Sequence, residues 1–217
     1  MLWKECKLIA LQTMFSNEGA DINVDDSNQD YIDAMPGKAN EALHQIAMVG
    51  RPILKQFQIA ILSGTAEETT VEKLTLPEKE ARYKLNLSDY CPRFRCVESL
   101  MLDSMGIYDQ AEDWAMEGDT WLVLPGNVTG TYTLWYRAYP PKLTASSADD
   151  TELELPEEAA ALVPLYIASE LYKEDDLSMA TMWRNEYEDG LEKLRQAYAA
   201  TGGGIRPGRI RNTTGWW

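Results

Sequence analysis

The sequence predicts an α+β protein: a four-helix bundle formed by N- and C-terminal helix pairs, with an inserted antiparallel β-domain and an extended C-terminal arm. Apolar residues recur every three or four positions near both ends of the chain, as in amphipathic helices. Between these regions apolar and polar residues alternate, as in strands with one face in water. The predicted divisions are the helix pair 1–52, the β-rich insertion 53–144, the helix pair 145–201 and the arm 202–217.

The N-terminal division is predicted to contain two helices. The first spans 3–16, and its apolar face comprises Leu8, Leu11 and Phe15, with Cys6 and Ile9 beside it. The second spans 29–49, and its apolar stripe comprises Tyr31, Met35, Ala39, Leu43, Ile46 and Val49. Pro36 lies inside the second helix and is expected to kink or split it, because proline has no backbone N–H to donate.

About five or six strands are predicted in the insertion. Their segments are "FQIAIL", "RYKLNL", "RFRCVESLML", "DTWLVLP" and "GTYTLWYRAY". Glycines between these segments supply the turns of a compact antiparallel unit.

The C-terminal division is predicted to contain the other two helices. Pro156 begins the third, where proline is well tolerated, and Pro164 is expected to bend it. The fourth spans 178–200, with these residues facing inward: Met179, Met182, Trp183, Tyr187, Leu191, Leu194 and Tyr198. Neither helix pair buries its apolar stripe alone, so the two pairs are expected to pack on each other.

Charge is distributed unevenly along the chain. The whole chain has a net charge of −15, but the arm contains three arginines and no acid. The remaining 17 basic and 35 acidic residues give the rest of the chain a net charge of −18. An acidic body repels DNA phosphates, which argues against tight duplex binding, whereas a basic tail is typical of an arm that docks elsewhere.

Motifs for catalysis, metals and cofactors are missing from the sequence. His44 is the sole histidine, and no nucleophile elbow, phosphate loop or dinucleotide fingerprint is present. Cys6, Cys91 and Cys96 form no CxxC pair and are expected to be reduced, mostly buried thiols. We therefore expect no enzyme activity, cofactor or metal. No signal peptide or membrane span is expected either.

Two other functions stay open at this point. Trp114, Trp121 and Trp135 lie in the predicted β-domain, where exposed rings suit a carbohydrate- or receptor-binding module. The abundant carboxylates also allow a two-carboxylate hydrolase, although solvated helix faces explain most of them.

The order of these elements resembles the head-to-tail adaptor (connector) proteins of tailed bacteriophages, which form the ring beneath the portal. The corresponding stretches are "LIALQTMFSNEG", "KANEALHQIAMVGRPILKQF", "GTYTLWYRAYPPKL", "LPEEAAALVPLYIASELYKEDDLSMATMWRNEYEDGLEKL" and the final tail. The resemblance implies a structural virion protein of the neck, made in the host bacterial cytoplasm. It also implies three partners: the portal protein, a tail or next neck-ring protein, and other copies of the chain in a homo-oligomeric ring of about twelve. Phage DNA passes through such a ring during ejection without sequence-specific binding.

The resemblance assigns the tail to portal binding. The residues expected to contact the portal are Ile205, Arg206, Arg209, Ile210, Arg211, Trp216 and Trp217. Sixteen extended residues reach roughly 50 Å at about 3.3–3.6 Å per residue, which is enough to reach a neighbouring ring. Burying each of the two tryptophans is worth roughly 4–6 kcal/mol before the cost of ordering the tail, so the arm is expected to order only on its partner. The alternative is a tail packed on its own subunit.

Overall fold

The computed structural model of the chain describes residues 1–15, 28–49, 52–61, 72–74, 82–104, 107–126 and 128–200. It confirms the coarse prediction of a mixed α+β protein with antiparallel sheets and several helices. The described residues form two units. The helical unit comprises those within Met1–Ile53 and Tyr139–Gly203, and the β unit comprises those within Leu54–Ala138.

Six helices lie in the described ranges. They are α1 (Trp3–Phe15), α2 (Gln29–Val49), α3 (Leu87–Tyr90), α4 (Glu157–Ala160), α5 (Leu162–Leu171) and α6 (Leu177–Ala200). Helix α3 belongs to the β unit, and the others belong to the helical unit. Helices α1, α2 and α6 all pack on α5, so α5 lies at the centre of the helical unit.

Helix α1 buries a different face from the one predicted. Its buried residues are Trp3, Cys6, Ala10, Leu11 and Met14. Leu8 and Ile9 are 37% and 38% exposed, so their predicted inward positions are wrong. The reason is that α1 carries apolar side chains on more than one side, and the side with Trp3 removes the largest ring from water.

Helix α2 follows the prediction closely. Met35, Ala39, Leu43 and Ile46 are buried, while Val49 is exposed at the helix end. Helix α2 continues through Pro36, so the expected alternative of two separate helices is wrong. Pro36 is itself buried within the stripe, and packing on both sides of it stabilises the helix despite the lost hydrogen bond.

The bend expected at Pro164 is a break between α4 and α5. Helix α4 ends at Ala160, four residues before Pro164, and the chain turns at Ala161 before α5 begins. Pro164 has no N–H to donate to the Ala160 carbonyl, and its ring clashes with that carbonyl in a regular helix. The sequence therefore predicted where the helix is irregular, but it predicted a bend where the structure has a break between two helices.

Helix α6 begins at Leu177, one residue before the prediction. The Asp176 carboxylate caps it by accepting hydrogen bonds from the backbone N–H groups of Ser178 and Met179, at 2.8 and 3.1 Å. Trp183, Tyr187 and Leu194 are buried as predicted. Met182 was predicted to face inward but is 44% exposed, because it lies on the side of α6 away from α5.

The β unit contains two four-stranded sheets. The strands are β1 (Ile53–Ile61), β2 (Glu72–Leu74), β3 (Arg82–Asn86), β4 (Phe94–Ser104), β5 (Ile107–Gln110), β6 (Ala115–Glu117), β7 (Trp121–Pro125) and β8 (Gly130–Ala138). Their orders are β1-β8-β4-β5 and β2-β3-β7-β6. Strand β4 pairs antiparallel with β5 and β8, and β7 pairs antiparallel with β3 and β6.

The five quoted segments correspond to β1, β3, β4, β7 and β8. The sequence missed β2, β5 and β6, which are three or four residues long and lie at sheet edges. Segments this short show no measurable alternation, and they form because an already ordered strand offers its hydrogen-bonding edge.

Gly130 at the start of β8 provides a test of this sheet. Its φ is 152°, and an added Cβ would lie 2.5 Å from the carbonyl oxygen of Asp103 in β4. We expect Gly130→Ala to lower the free energy of unfolding by about 2–4 kcal/mol, because both the backbone and the neighbouring strand must shift. Urea denaturation measures the change.

Gly37 is the matched control. It lies inside α2 with no atom within 4 Å of an added Cβ. Gly37→Ala is therefore expected to raise the free energy of unfolding by about 0.5–1 kcal/mol. Equal effects of the two substitutions would contradict the packing described for Gly130.

Candidate interaction surfaces

The predicted arm lies outside the described residues. This applies to its whole set of expected contact residues: Ile205, Arg206, Arg209, Ile210, Arg211, Trp216 and Trp217. Their role in binding stays a prediction from the sequence. The surfaces described below belong to the helical unit and to the β unit, each taken separately.

A chain of hydrogen bonds joins three helices of the helical unit. The Tyr187 hydroxyl of α6 donates to Gln45 Oε1 of α2 at 3.0 Å, and Gln45 Nε2 donates to the Tyr166 hydroxyl of α5 at 3.3 Å. The Tyr166 hydroxyl donates in turn to Glu41 Oε2 at 2.9 Å. The last hydrogen bond of this series lies at the surface, where Lys38 Nζ donates to Glu41 Oε1 at 3.0 Å. These hydrogen bonds fix the rotations of α2, α5 and α6 relative to one another, because each bond forms only when its donor and acceptor face each other.

Arg184 of α6 adds charge to this network. Its guanidinium lies over the rings of Tyr166 and Tyr187, at 4.9 and 5.6 Å from their centroids. Arg184 Nη1 bonds Glu170 at 3.2 Å and Nε bonds Glu188 at 2.8 Å. One planar cation thus contacts two rings and two carboxylates, which is a geometry suited to arginine rather than lysine.

The buried hydroxyl of Tyr187 predicts how the stability of the fold changes at alkaline pH. Burial raises the pKa of the Tyr187 hydroxyl above its ordinary value, so the folded state keeps this proton longer than the unfolded chain does. The associated stability is fully present below pH 10 and is lost as the pH rises further, because only the unfolded state ionises there. We expect Tyr187→Phe to cost about 1–2 kcal/mol at pH 7, where Gln45 loses its donor, and to reduce the further loss above pH 10. Urea titrations at pH 7 and above pH 10 measure both effects, and an unchanged alkaline slope in Tyr187→Phe would contradict the buried hydroxyl.

Four aromatic rings meet at one end of the helical unit. Phe15 of α1 lies edge-on to Tyr31 of α2 at 5.2 Å and to Tyr172 at 5.9 Å. Tyr172, just after α5, also contacts Trp183 of α6 at 5.4 Å. The Tyr31 hydroxyl donates to Asp175 at 2.6 Å, and this hydrogen bond raises the pKa of Tyr31 to about 12. Side chains from α1, α2 and α6 therefore converge at the end of α5, where the chain turns towards α6.

Several large apolar residues of the helical unit are exposed. They are Leu2, Leu8 and Ile9 at α1, Met48 and Val49 at the end of α2, and Leu177 and Met182 on α6. Met48 and Leu177 are the most exposed of these, at 69% and 66%. Exposed apolar side chains scattered singly are common on protein surfaces, so they do not by themselves identify a binding site.

The β unit does not favour the carbohydrate-binding alternative. Trp114, Trp121 and Trp135 are all half-buried rather than exposed. Lys84 Nζ lies 4.8 Å from the centroid of the Trp121 ring and bonds Glu117 at 2.6 Å, which covers a ring face that a sugar would need. One face of the Trp121 ring is therefore already occupied by a side chain of the protein itself.

The described carboxylates do not favour the hydrolase alternative. Glu41 has a pKa below its ordinary value because Lys38 donates to it, and the pKa of Asp149 is lowered by its hydrogen bond to Lys7. A general acid needs the opposite shift. Glu98 and Glu170, which are mostly buried, bond Arg137 and Arg184 respectively.

The sequence has a single histidine and three cysteines, and none of the four lies in a catalytic arrangement among the described residues. His44 is exposed on α2, with its ring 6.2 Å from that of Tyr139. Cys6 and Cys91 are buried and Cys96 is exposed, which confirms the expectation of mostly buried thiols. Burial raises the pKa of the Cys6 thiol to about 12 and that of Cys91 to about 11, so neither is a thiolate at neutral pH.

The described ranges contain neither a metal site nor a membrane span. No group of three or more His, Cys, Asp or Glu residues there is placed to hold a metal ion. No helix in those ranges is sufficiently long and apolar to span a bilayer.

The described residues combine a polar network that joins three helices with several exposed apolar side chains. Comparison with protein families gives the class of the protein: the family model described as SU10 adaptor protein matches residues 9–211, which is nearly the whole chain. The chain therefore belongs to the SU10 adaptor protein family. It is a phage structural protein of the adaptor type, and its partners are other virion proteins. A search of curated proteins found no match.

Proposed function

We propose that the chain forms the head-to-tail adaptor ring in the neck of its phage. The ring docks on the portal, links the capsid to the tail and forms part of the DNA channel. The observation that carries this proposal is the family match over residues 9–211, which includes both helical regions and the β insertion. A second partner, a tail or next neck-ring protein, contacts the opposite side of the ring.

The helical unit serves as the body of the ring in this proposal. Helices α1, α2, α5 and α6 act as a four-helix bundle, and the hydrogen bonds from Tyr187 to Glu41 keep α2, α5 and α6 in fixed rotations. A subunit repeated about twelve times needs such rigidity, because a small rotation of one face is repeated at every contact and prevents closure.

Charge suits passage of DNA through the ring. Residues 1–201 carry a net charge of −18, so the body repels the phosphate backbone rather than retaining it. The proposal therefore includes no sequence-specific contact with DNA.

The arm, residues 202–217, is proposed to make the portal contact. Arg206, Arg209 and Arg211 pair with carboxylates of the portal, and Trp216 and Trp217 fill an apolar pocket there. The arginines give the arm a positive net charge, whereas the rest of its subunit is negative. The reach of roughly 50 Å allows the arm to leave that subunit.

Removing the gene from the phage tests the proposed function. We expect DNA-filled heads and free tails to accumulate unjoined, because the adaptor is the connection between them. Addition of the purified protein to such an extract should restore infectious particles, and a variant lacking 202–217 should not. Normal virion yield without the gene would overturn the proposal.

A further inference from the structure

We draw no further inference here: the strongest candidate, the outer edge of β1 in the four-stranded sheet β1-β8-β4-β5, is a nine-residue strand edge with no described strand beside it, and nothing in the described residues shows what covers it.

Discussion

Deleting residues 202–217 is expected to abolish binding to the portal while the subunit stays folded. Among the described residues, Leu194 is the last buried residue of α6 and the helix ends at Ala200, so the deletion begins two residues beyond the helix. The lost contribution includes burial of Trp216 and Trp217, roughly 4–6 kcal/mol for each ring before ordering costs, together with the arginine pairs. Circular dichroism and thermal unfolding should match the full chain, and co-sedimentation with portal should fall to background.

Substitutions inside the arm separate its anchors from its length. Trp216→Ala combined with Trp217→Ala should weaken portal binding at least about 100-fold, since each removes a large buried ring. Thr213→Ala combined with Thr214→Ala is the matched control, as it changes two small residues of the same segment, and it should have little effect. Portal binding that survives both the deletion and the double tryptophan substitution would show that the arm is not the docking element.

Trp3→Ala is expected to be the most destabilising substitution in α1. Trp3 is 2% exposed, its backbone N–H donates to the Thr151 carbonyl at 2.8 Å, and Lys7 Nζ lies 5.8 Å from the ring centroid. Removing this ring leaves a cavity in the core of the helical unit, with an expected loss of about 3–5 kcal/mol in the free energy of unfolding. Urea denaturation at neutral pH measures it.

Leu8→Ala is the control for this prediction. Leu8 is one of the residues that periodicity placed inward and the structure places outward, so its truncation should change the free energy of unfolding by less than about 0.5 kcal/mol. A loss at Leu8 as large as the loss at Trp3 would mean that the described rotation of α1 is wrong.

This pair also shows where sequence reasoning succeeds and fails. Helix α2 has one apolar stripe and polar residues elsewhere, so Met35, Leu43 and Ile46 were identified as core from spacing alone. Helix α1 carries apolar residues on several sides, so spacing permits more than one buried face. The choice depends on what α5 offers as a surface, which is a property of the folded chain rather than of the segment.

The sheets show a similar division. Strands with five or more residues alternate clearly enough to be predicted, whereas β2, β5 and β6 depend on the edges of β3, β4 and β7. The hydrogen-bond chain through Gln45, Tyr166 and Tyr187 was not predictable for the same reason. Gln45 lies 121 positions from Tyr166 and 142 positions from Tyr187, so only the folded arrangement of three helices brings these side chains together.

The arm was predicted from the sequence, because an arginine-containing tail ending in two tryptophans on an acidic chain is evident without coordinates. The exposed apolar side chains of α1 and α6 were not predicted, because the exposure of a leucine or methionine on a helix depends on how the folded chain covers it. The arm remains the surface proposed for the contact with the portal.

The mass of the complex between purified portal and the full chain tests the central claim most directly. A closed adaptor ring adds a whole-number multiple of 24.5 kDa, with one copy per portal subunit, and the same mixture with the 202–217 deletion adds nothing. Saturation at one copy per subunit by native mass spectrometry, lost with the deletion, is the predicted result. No stable added mass at any ratio, or an unchanged complex after the deletion, would contradict the proposal that this chain is a portal-docked adaptor ring.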